Sequence, residues 1–361
     1  MLGERASRDR PGTDLPSYPP TDLGRYQAFV RELVGRYARR GVHLYAVENE
    51  IDAATSWGAD PAAYRQVGQA GARAVRQADP KARLVDPGLS SSSYGLAIAR
   101  RRADAGDTEA ALTFYREFYR RRTGGRFPAA ADAAGLRAAL AGPVARRALT
   151  AHQVVFELDR ARTFDAYQLH YYDHWSLAPD VLDYVKDAGL PVEAWEVGSF
   201  WPGSGYDPAA HGAETAKLVT HLLAGGVRKL VYLPVYHSPG EIAGVETWRA
   251  LYGADGRPRP ARSVLDRLKA YSSGQWRRLP AVEGGVEGGA VAWQGGTVLV
   301  LWSERPVELR PPSGTVVTTA ALPGGPARPL TGGRPLAVGA TPVLVTVRAP
   351  IEETMKWLRA S

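Results

Sequence analysis

The sequence predicts an α/β fold, a parallel sheet with crossover helices, followed by a small antiparallel β domain. Three observations carry this expectation. Strand-type and helix-type segments alternate five times between Leu23 and Ser273, the pattern of a parallel sheet wound through helices. Glycines close three of the helical stretches, at Gly41, Gly189 and Gly225-Gly226, where a left-handed cap favours a residue without Cβ. After Ser273 the texture changes to short β-type runs separated by Gly- and Pro-rich turns.

Residues 1–22 are polar and rich in Pro and Gly, and are expected to be irregular. From Leu23 to Arg40 the residues Tyr26, Phe29, Val30, Leu33 and Val34 recur at helical steps. "VHLYAV" is a strand, and "ENEID" lies at its C-terminal end. A helix over Pro61–Ala78, the strand "ARLVDPG", a serine loop at Ser90–Ser93 and a long helical insertion over Leu96–Arg162 follow. The strand "FDAYQLHYY", the helix "APDVLDYVKDAG" and the strand "PVEAWEVG" come next. "HGAETAKLVTHLLAGG", "VRKLVYLPVY" and "ARSVLDRLKAY" complete the alternation as helix, strand and helix. Residues 23–273 then form the α/β domain and 274–349 a small antiparallel sandwich built from runs such as "TVLVLWS" and "TPVLVTVRA". The tail, 350–361, reads as a short helix.

Bulk composition excludes several chemistries. The chain of 361 residues has no cysteine, so disulfides, thiolate metal sites and cysteine nucleophiles are ruled out. No run approaches the ~20 apolar residues of a membrane span. The formal charge is +8, but the arginines share their segments with acidic residues and alanine. That is a solvated surface rather than a nucleic-acid footprint. The N-terminus has no apolar core of a signal peptide, which leaves localisation open.

In a parallel α/β fold the chemistry sits at the C-terminal strand ends. The first strand here ends in Asn49-Glu50 and the fourth in Glu196. The third ends in His170-Tyr171-Tyr172, with Asp173, His174 and Trp175 beyond, and the fifth in Tyr236-His237. Two glutamates on strands about three βα units apart would face one another across the mouth of a closed barrel. That is the requirement for cleaving a glycosidic bond: one carboxyl protonates the leaving oxygen, and the other attacks the anomeric carbon or activates water.

Five segments in this order resemble clan A of the glycoside hydrolases. "YAVENEID" is similar to the clan's Asn-Glu signature at barrel strand 4, and "VEAWEVGSF" to its glutamate at strand 7. "ADPKARLVDPGLSS", "DAYQLHYYDHW" and "GADGRPRPARSVLDRL" resemble strand 5, strand 6 and the stretch after strand 8. The similarity spans about residues 20–350, and the nearest members are xylosidase- and iduronidase-like enzymes of family 39 and its neighbours. It implies a (β/α)8 TIM barrel of which strands 4–8 are present, with strands 1–3 unmatched and the barrel incomplete. It implies a retaining O-glycoside hydrolase with Glu50 as acid/base and Glu196 as nucleophile, acting on a carbohydrate without a cofactor. Asn49 would bind the sugar 2-hydroxyl, His170 and Tyr172 would contact nucleophile and sugar, and His237 would lie near the floor. Trp57, Trp175 and Trp201 would be stacking platforms for sugar rings. An open barrel would expose two sheet edges, so self-association is expected. An inactive remnant or a carbohydrate-binding protein without catalysis is the alternative, and a transglycosylase would use the same residues.

Plainer readings stand beside these. Glu50 and Glu196 could be strand-end or helix-start charges; it is their joint register that favours chemistry. Glu48 shares the pleat face of Glu50 and is expected to project into the barrel mouth. The resembled clan often has Trp or Gly there. Glu193 lies on the face opposite Glu196 and reads as structural. His170, Asp173 and His174 are poorly spaced for one metal ion, so no metal is expected.

Overall fold

The computed structural model describes residues 4–5, 16–120, 127–199, 206–236, 250–312, 315, 317–322, 324–330 and 334–360. The chain divides into two compact units, residues 1–171 with 183–196, and residues 172–182 with 197–361.

In the first unit, β1 (Glu4–Arg5) pairs antiparallel with β2 (Ser17–Tyr18). Helix α1 (Leu23–Ala38) starts at Asp22, whose side chain accepts from the N–H groups of Gly24 and Arg25 at 2.8 and 3.0 Å. Two otherwise orphaned N–H groups are thereby satisfied. Its buried residues are Tyr26, Val30 and Val34, one per turn. Phe29, which the periodicity assigns to the apolar face, is exposed. Strand β3 (Leu44–Ala46) follows, then α2 (Tyr64–Ala78), and β4 (Arg83–Val85) lies parallel to β3 with Tyr45 opposite Leu84.

The helical insertion consists of α3 (Ser93–Asp104), α4 (Thr108–Arg120), α5 (Ala133–Ala141) and α6 (Pro143–Arg160). Helix α6 begins with Pro at its first position, where the missing N–H costs nothing. It buries Ala145, Ala148, Ala151, Val155 and Leu158 along one stripe. Strand β5 (Tyr167–Tyr171) is buried along its whole length. Parallel bridges Val85↔Ala166 and Leu89↔Leu169 join it to the end of β4, and β6 (Val192–Val197) is its hydrogen-bonded neighbour. Helix α7 (Ala178–Val185) connects β5 to β6, and Gly189 ends that connection at φ 73° as the glycine-cap expectation requires.

In the second unit, α8 (Pro208–Ala224) is capped by Asp207, which accepts from the N–H groups of Ala209 and Ala210. Strand β7 (Leu230–Tyr232) and helix α9 (Pro260–Lys269) follow, and α9 packs on α8. An antiparallel sheet runs in the order β13 (Arg328–Leu330), β12 (Val317–Ala321), β15 (Val343–Val347), β10 (Gly296–Trp302), β9 (Glu287–Trp293), β8 (Trp276–Arg278). The pair β11 (Val307–Leu309) and β14 (Leu336–Val338) shares its core, where Leu299, Leu301, Leu309, Val338 and Val345 meet. The terminal helix α10 (Ile351–Ala360) closes that core with Trp357 and Leu358, and the Trp357 indole donates to the carbonyl of Arg310 at 2.6 Å. Among the described residues no helix is long and apolar enough to cross a membrane.

One residue of α6 breaks its apolar stripe. Asp159 is fully enclosed and neither carboxylate oxygen has a hydrogen-bond partner. Burial, and then the charge of Asp86, push its pKa up, so the folded protein holds it protonated. The unfolded chain ionises this group near pH 4, whereas the folded chain does not, so the cost of folding it grows as pH rises above that value. Asp159→Leu is expected to stabilise the protein by about 1–3 kcal/mol at pH 8. The difference in urea midpoint between variant and wild type should shrink toward pH 4.

Candidate functional site

Glu50 reaches its place through a turn rather than a strand. Strand β3 stops at Ala46, and both Glu48 (φ 68°) and Glu50 (φ 45°) adopt left-handed backbone. Non-glycine residues take that region at a cost of order 1–3 kcal/mol, so the surroundings must enforce it. The pleat argument for Glu48 therefore fails, because alternation of faces holds only in extended chain. Glu48 is 2% exposed, hydrogen-bonded to Ser17 and held up in pKa by burial. Glu50 turns to a half-open position with a side chain 22% exposed.

Arg147 of α6 enforces the loop that follows. Its guanidinium donates to the carbonyls of Asp52 (Nε, 2.9 Å), Ala59 (Nη1, 2.8 Å) and Ile51 (Nη2, 3.1 Å), and Nη2 also donates to Trp57 O. One planar fork thus ties four carbonyls between residues 51 and 59, a geometry a lysine cannot reproduce. Asp52 adds a second tie, accepting from Ser90 N–H at 2.9 Å and from Ser90 Oγ. Burial pushes the Asp52 pKa up to about 6 against those hydrogen bonds, and the charge of Glu50 adds to the rise. The Glu50 N–H donates to Pro87 O at 3.0 Å, which ties its backbone to the β4 end.

His170 brings the two glutamates together. It lies in β5 and is fully buried. Its Nδ1 stands 3.0 Å from Glu50 Oε1 and 3.7 Å from Glu196 Oε2, and Glu196, in β6, has a side chain 30% exposed. One donor atom from each of the three residues falls within 4.8 Å of the others. Such spacing is also within reach of a cation. Burial, the largest influence, pulls the His170 pKa down, but the Glu50 hydrogen bond and the charges of Glu196, Glu50 and Asp86 outweigh it and leave the pKa raised. The imidazole is thereby favoured as the positive member between two carboxylates. Behind the ring, Gly88 has φ 65°, and a Cβ there would come within 2.5 Å of His170 Nε2 and 2.7 Å of the Gln168 amide nitrogen. Only glycine fits.

The other expected residues fall elsewhere. Asn49 is half-buried beside Glu50. Glu193 is buried, and accepts from Arg83 at 2.8 Å and from the Trp195 indole at 3.0 Å, the structural role expected of it. Trp57 is fully enclosed, edge-on to Tyr64, with its indole donating to Asp60 O. It cannot offer a face to a sugar. Trp175 is likewise buried in the second unit, stacked on His221 at 5.8 Å, with the Lys217 ammonium 4.4 Å from its ring and Trp302 edge-on. Its surface is spent on packing. Tyr172 is half-buried with its ring against Gly198. His174 contacts Ser176 Oγ through Nδ1, and its Nε2 faces Glu214 at 3.9 Å. Trp201 and His237 lie outside the described residues. Sequence reasoning passed over Asp52, Asp86, Gln168 and Arg147. Gln168 had a local signal, since it stands two residues before His170 on one strand face; Arg147 had none.

No protein-family model matches the sequence, and no curated protein does. Solved structures do resemble it. A family 39 glycoside hydrolase from the gut symbiont Bacteroides cellulosilyticus WH2 is 15% identical with a TM-score of 0.59, over 93% of this chain and 64% of that one. The monomeric beta-xylosidase of Caulobacter crescentus CB15 is 14% identical with a TM-score of 0.51, over 93% and 76%. A family 30 endoxylanase from Clostridium papyrosolvens C71 is 13% identical with a TM-score of 0.53, over 97% and 76%. This chain thus spans just under two thirds of the length of the family 39 hydrolase.

Two substitutions test how the site is held. Arg147→Lys should cost about 2–3 kcal/mol in chemical unfolding, because buried carbonyls lose charged donors. Gly88→Ala should displace the His170 ring, and a crystal structure of the variant would show whether Nδ1 leaves Glu50. What the chain shares with the glycoside hydrolases of families 39 and 30 is their α/β fold.

Proposed function

We propose that the protein is a retaining glycoside hydrolase that cleaves O-glycosides by double displacement, with Glu50 as acid/base and Glu196 as nucleophile. The observation that carries this reading is the approach of the two carboxylates. Their nearest donor oxygens lie within 4.8 Å, bridged by His170 Nδ1. Carboxyl groups about 5–5.5 Å apart leave room for the sugar carbon alone, whereas inverting enzymes separate theirs by about 6.5–9.5 Å to admit a water. The fold likeness to a beta-xylosidase and an endoxylanase supports a carbohydrate substrate. Burial of Trp57 and Trp175 removes two of the platforms on which glycan binding without catalysis would rest.

In the first step Glu50 gives its proton to the leaving oxygen as Glu196 Oε attacks the anomeric carbon. The C–O bond to the aglycone breaks and a glycosyl ester forms on Glu196. In the second step Glu50 takes a proton from water, whose oxygen attacks the same carbon and releases Glu196 as carboxylate. Asn49, adjacent to Glu50 in the same turn, is the candidate ligand for the sugar 2-hydroxyl.

A panel of aryl β-glycosides tests the reading. Cleavage should occur with at least one sugar, and Glu196→Gln should lower kcat by about 10³-fold or more. Glu50→Gln should spare substrates with good leaving groups relative to poor ones, since only the latter need the acid. Proton NMR of the first product should show the starting anomeric configuration. Activity that survives Glu196→Gln, or an inverted first product, would overturn the assignment.

A further inference from the structure

The Nε2 side of His170 carries a contradiction that chemistry resolves. The Gln168 amide nitrogen stands 2.6 Å from His170 Nε2, while Gln168 Oε1 is buried without a hydrogen-bond partner. An amide nitrogen has only protons to offer, and 2.6 Å is short even for N–H···O, whose usual distance is about 2.9–3.0 Å. Amide oxygen and nitrogen have the same shape, and their placement follows from the hydrogen-bond network. With the amide turned by half a rotation, its oxygen faces Nε2, and the short contact becomes a charge-assisted N–H···O bond. Nε2 must then carry a proton. Nδ1 already needs one, because it faces Glu50 at 3.0 Å and Glu196 at 3.7 Å and carboxylates only accept.

Asp86 holds this arrangement from behind. It lies one residue beyond β4 and is fully buried. Oδ1 accepts from Gly88 N–H at 2.7 Å, and Oδ2 from Gln168 N–H at 3.0 Å. One carboxylate therefore pins both the glycine backbone that closes on the ring and the strand residue whose amide meets Nε2. Its own pKa is raised by burial against those two hydrogen bonds, and its charge favours the protonated ring. The titratable groups facing His170 are then Glu50 from the β3 end, Asp86 from the β4 end and Glu196 from β6.

We infer that Gln168 and Asp86 are positioning residues that hold His170 with a proton on each ring nitrogen, Nδ1–H shared between Glu50 and Glu196 and Nε2–H donated to the Gln168 side-chain oxygen. The imidazolium so fixed balances the two carboxylates in the resting site, and transfer of its Nδ1 proton to Glu50 Oε1, 3.0 Å away, supplies the proton that Glu50 needs as acid and leaves the ring neutral with its proton on Nε2. That consequence rests on the glycosidase reading, whereas the protonation state does not.

The test is ¹⁵N NMR of the histidine rings in the full chain, with His170 assigned by the resonances lost in His170→Gln. In the wild type at pH 7 both His170 nitrogens should be in the protonated range, and should deprotonate only above the ordinary value near 6.5. Asp86→Asn keeps the residue's shape and removes its charge; Gln168→Leu removes the acceptor. Each should lower the His170 midpoint by about one pH unit or more. A neutral ring with its single proton on Nδ1 at pH 7 overturns the inference, as does a midpoint unmoved in both variants. If a cleavable glycoside is found, the alkaline limb of kcat/KM should follow the NMR midpoint in Asp86→Asn. A limb that stays in place while the midpoint moves would overturn the link to rate and leave the protonation state standing. Absence of any cleavage would count against the glycosidase reading alone.

Discussion

Two carboxylates a few ångströms apart repel, and in a partly desolvated pocket that repulsion would force one to stay protonated or drive them apart. Here an imidazole nitrogen stands between them, 3.0 Å from Glu50 and 3.7 Å from Glu196. The rest of the site answers to this contact. His170 is fully buried, which disfavours its cation, and it faces carboxylates, which favour it. Three surrounding carboxylates resolve the opposition in favour of charge.

The scaffold supplies the precision from a distance. Helix α6 belongs to an insertion that contributes no residue to the carboxylate pair, yet Arg147 on that helix carries the carbonyls of the loop after Glu50. A left-handed turn at Glu50 is unfavourable by itself and persists because the loop downstream is over-determined by Arg147 and by the Asp52–Ser90 pair. The same insertion also contains a liability, the unpaired Asp159. The left-handed backbone at Glu50 belongs to the turn that sets its carboxylate 3.0 Å from His170, whereas the buried carboxyl of Asp159 makes no hydrogen bond.

The likeness to families 39 and 30 is a likeness of fold at 13–15% identity. In such a fold the sheet fixes where a residue at the C-terminal end of each strand can point. Loops diverge freely, and the aromatic residues expected from loop positions are where expectation and structure part.

The α/β alternation and the antiparallel C-terminal region were legible in the sequence, as was the strand-end placement of Glu50, His170 and Glu196, which the structure gathers within 4.8 Å. These follow from local rules: periods of two and 3.6 residues, glycine caps, and the placement of functional groups at strand ends. Gln168 was legible by the same rule of two. The sequence did not show that Glu48 turns away from Glu50, because the left-handed backbone at both residues breaks the alternation of a strand, and the ties that hold the loop after Glu50 come from α6 and the β4 end. Nor did it determine that Trp57 and Trp175 are enclosed, since exposure is a property of what packs around a ring. Arg147 and Asp86 were decided only in three dimensions. Their partners are backbone groups up to about a hundred residues away in the chain, and a backbone carbonyl or N–H leaves no mark in the sequence that could point to the side chain it binds.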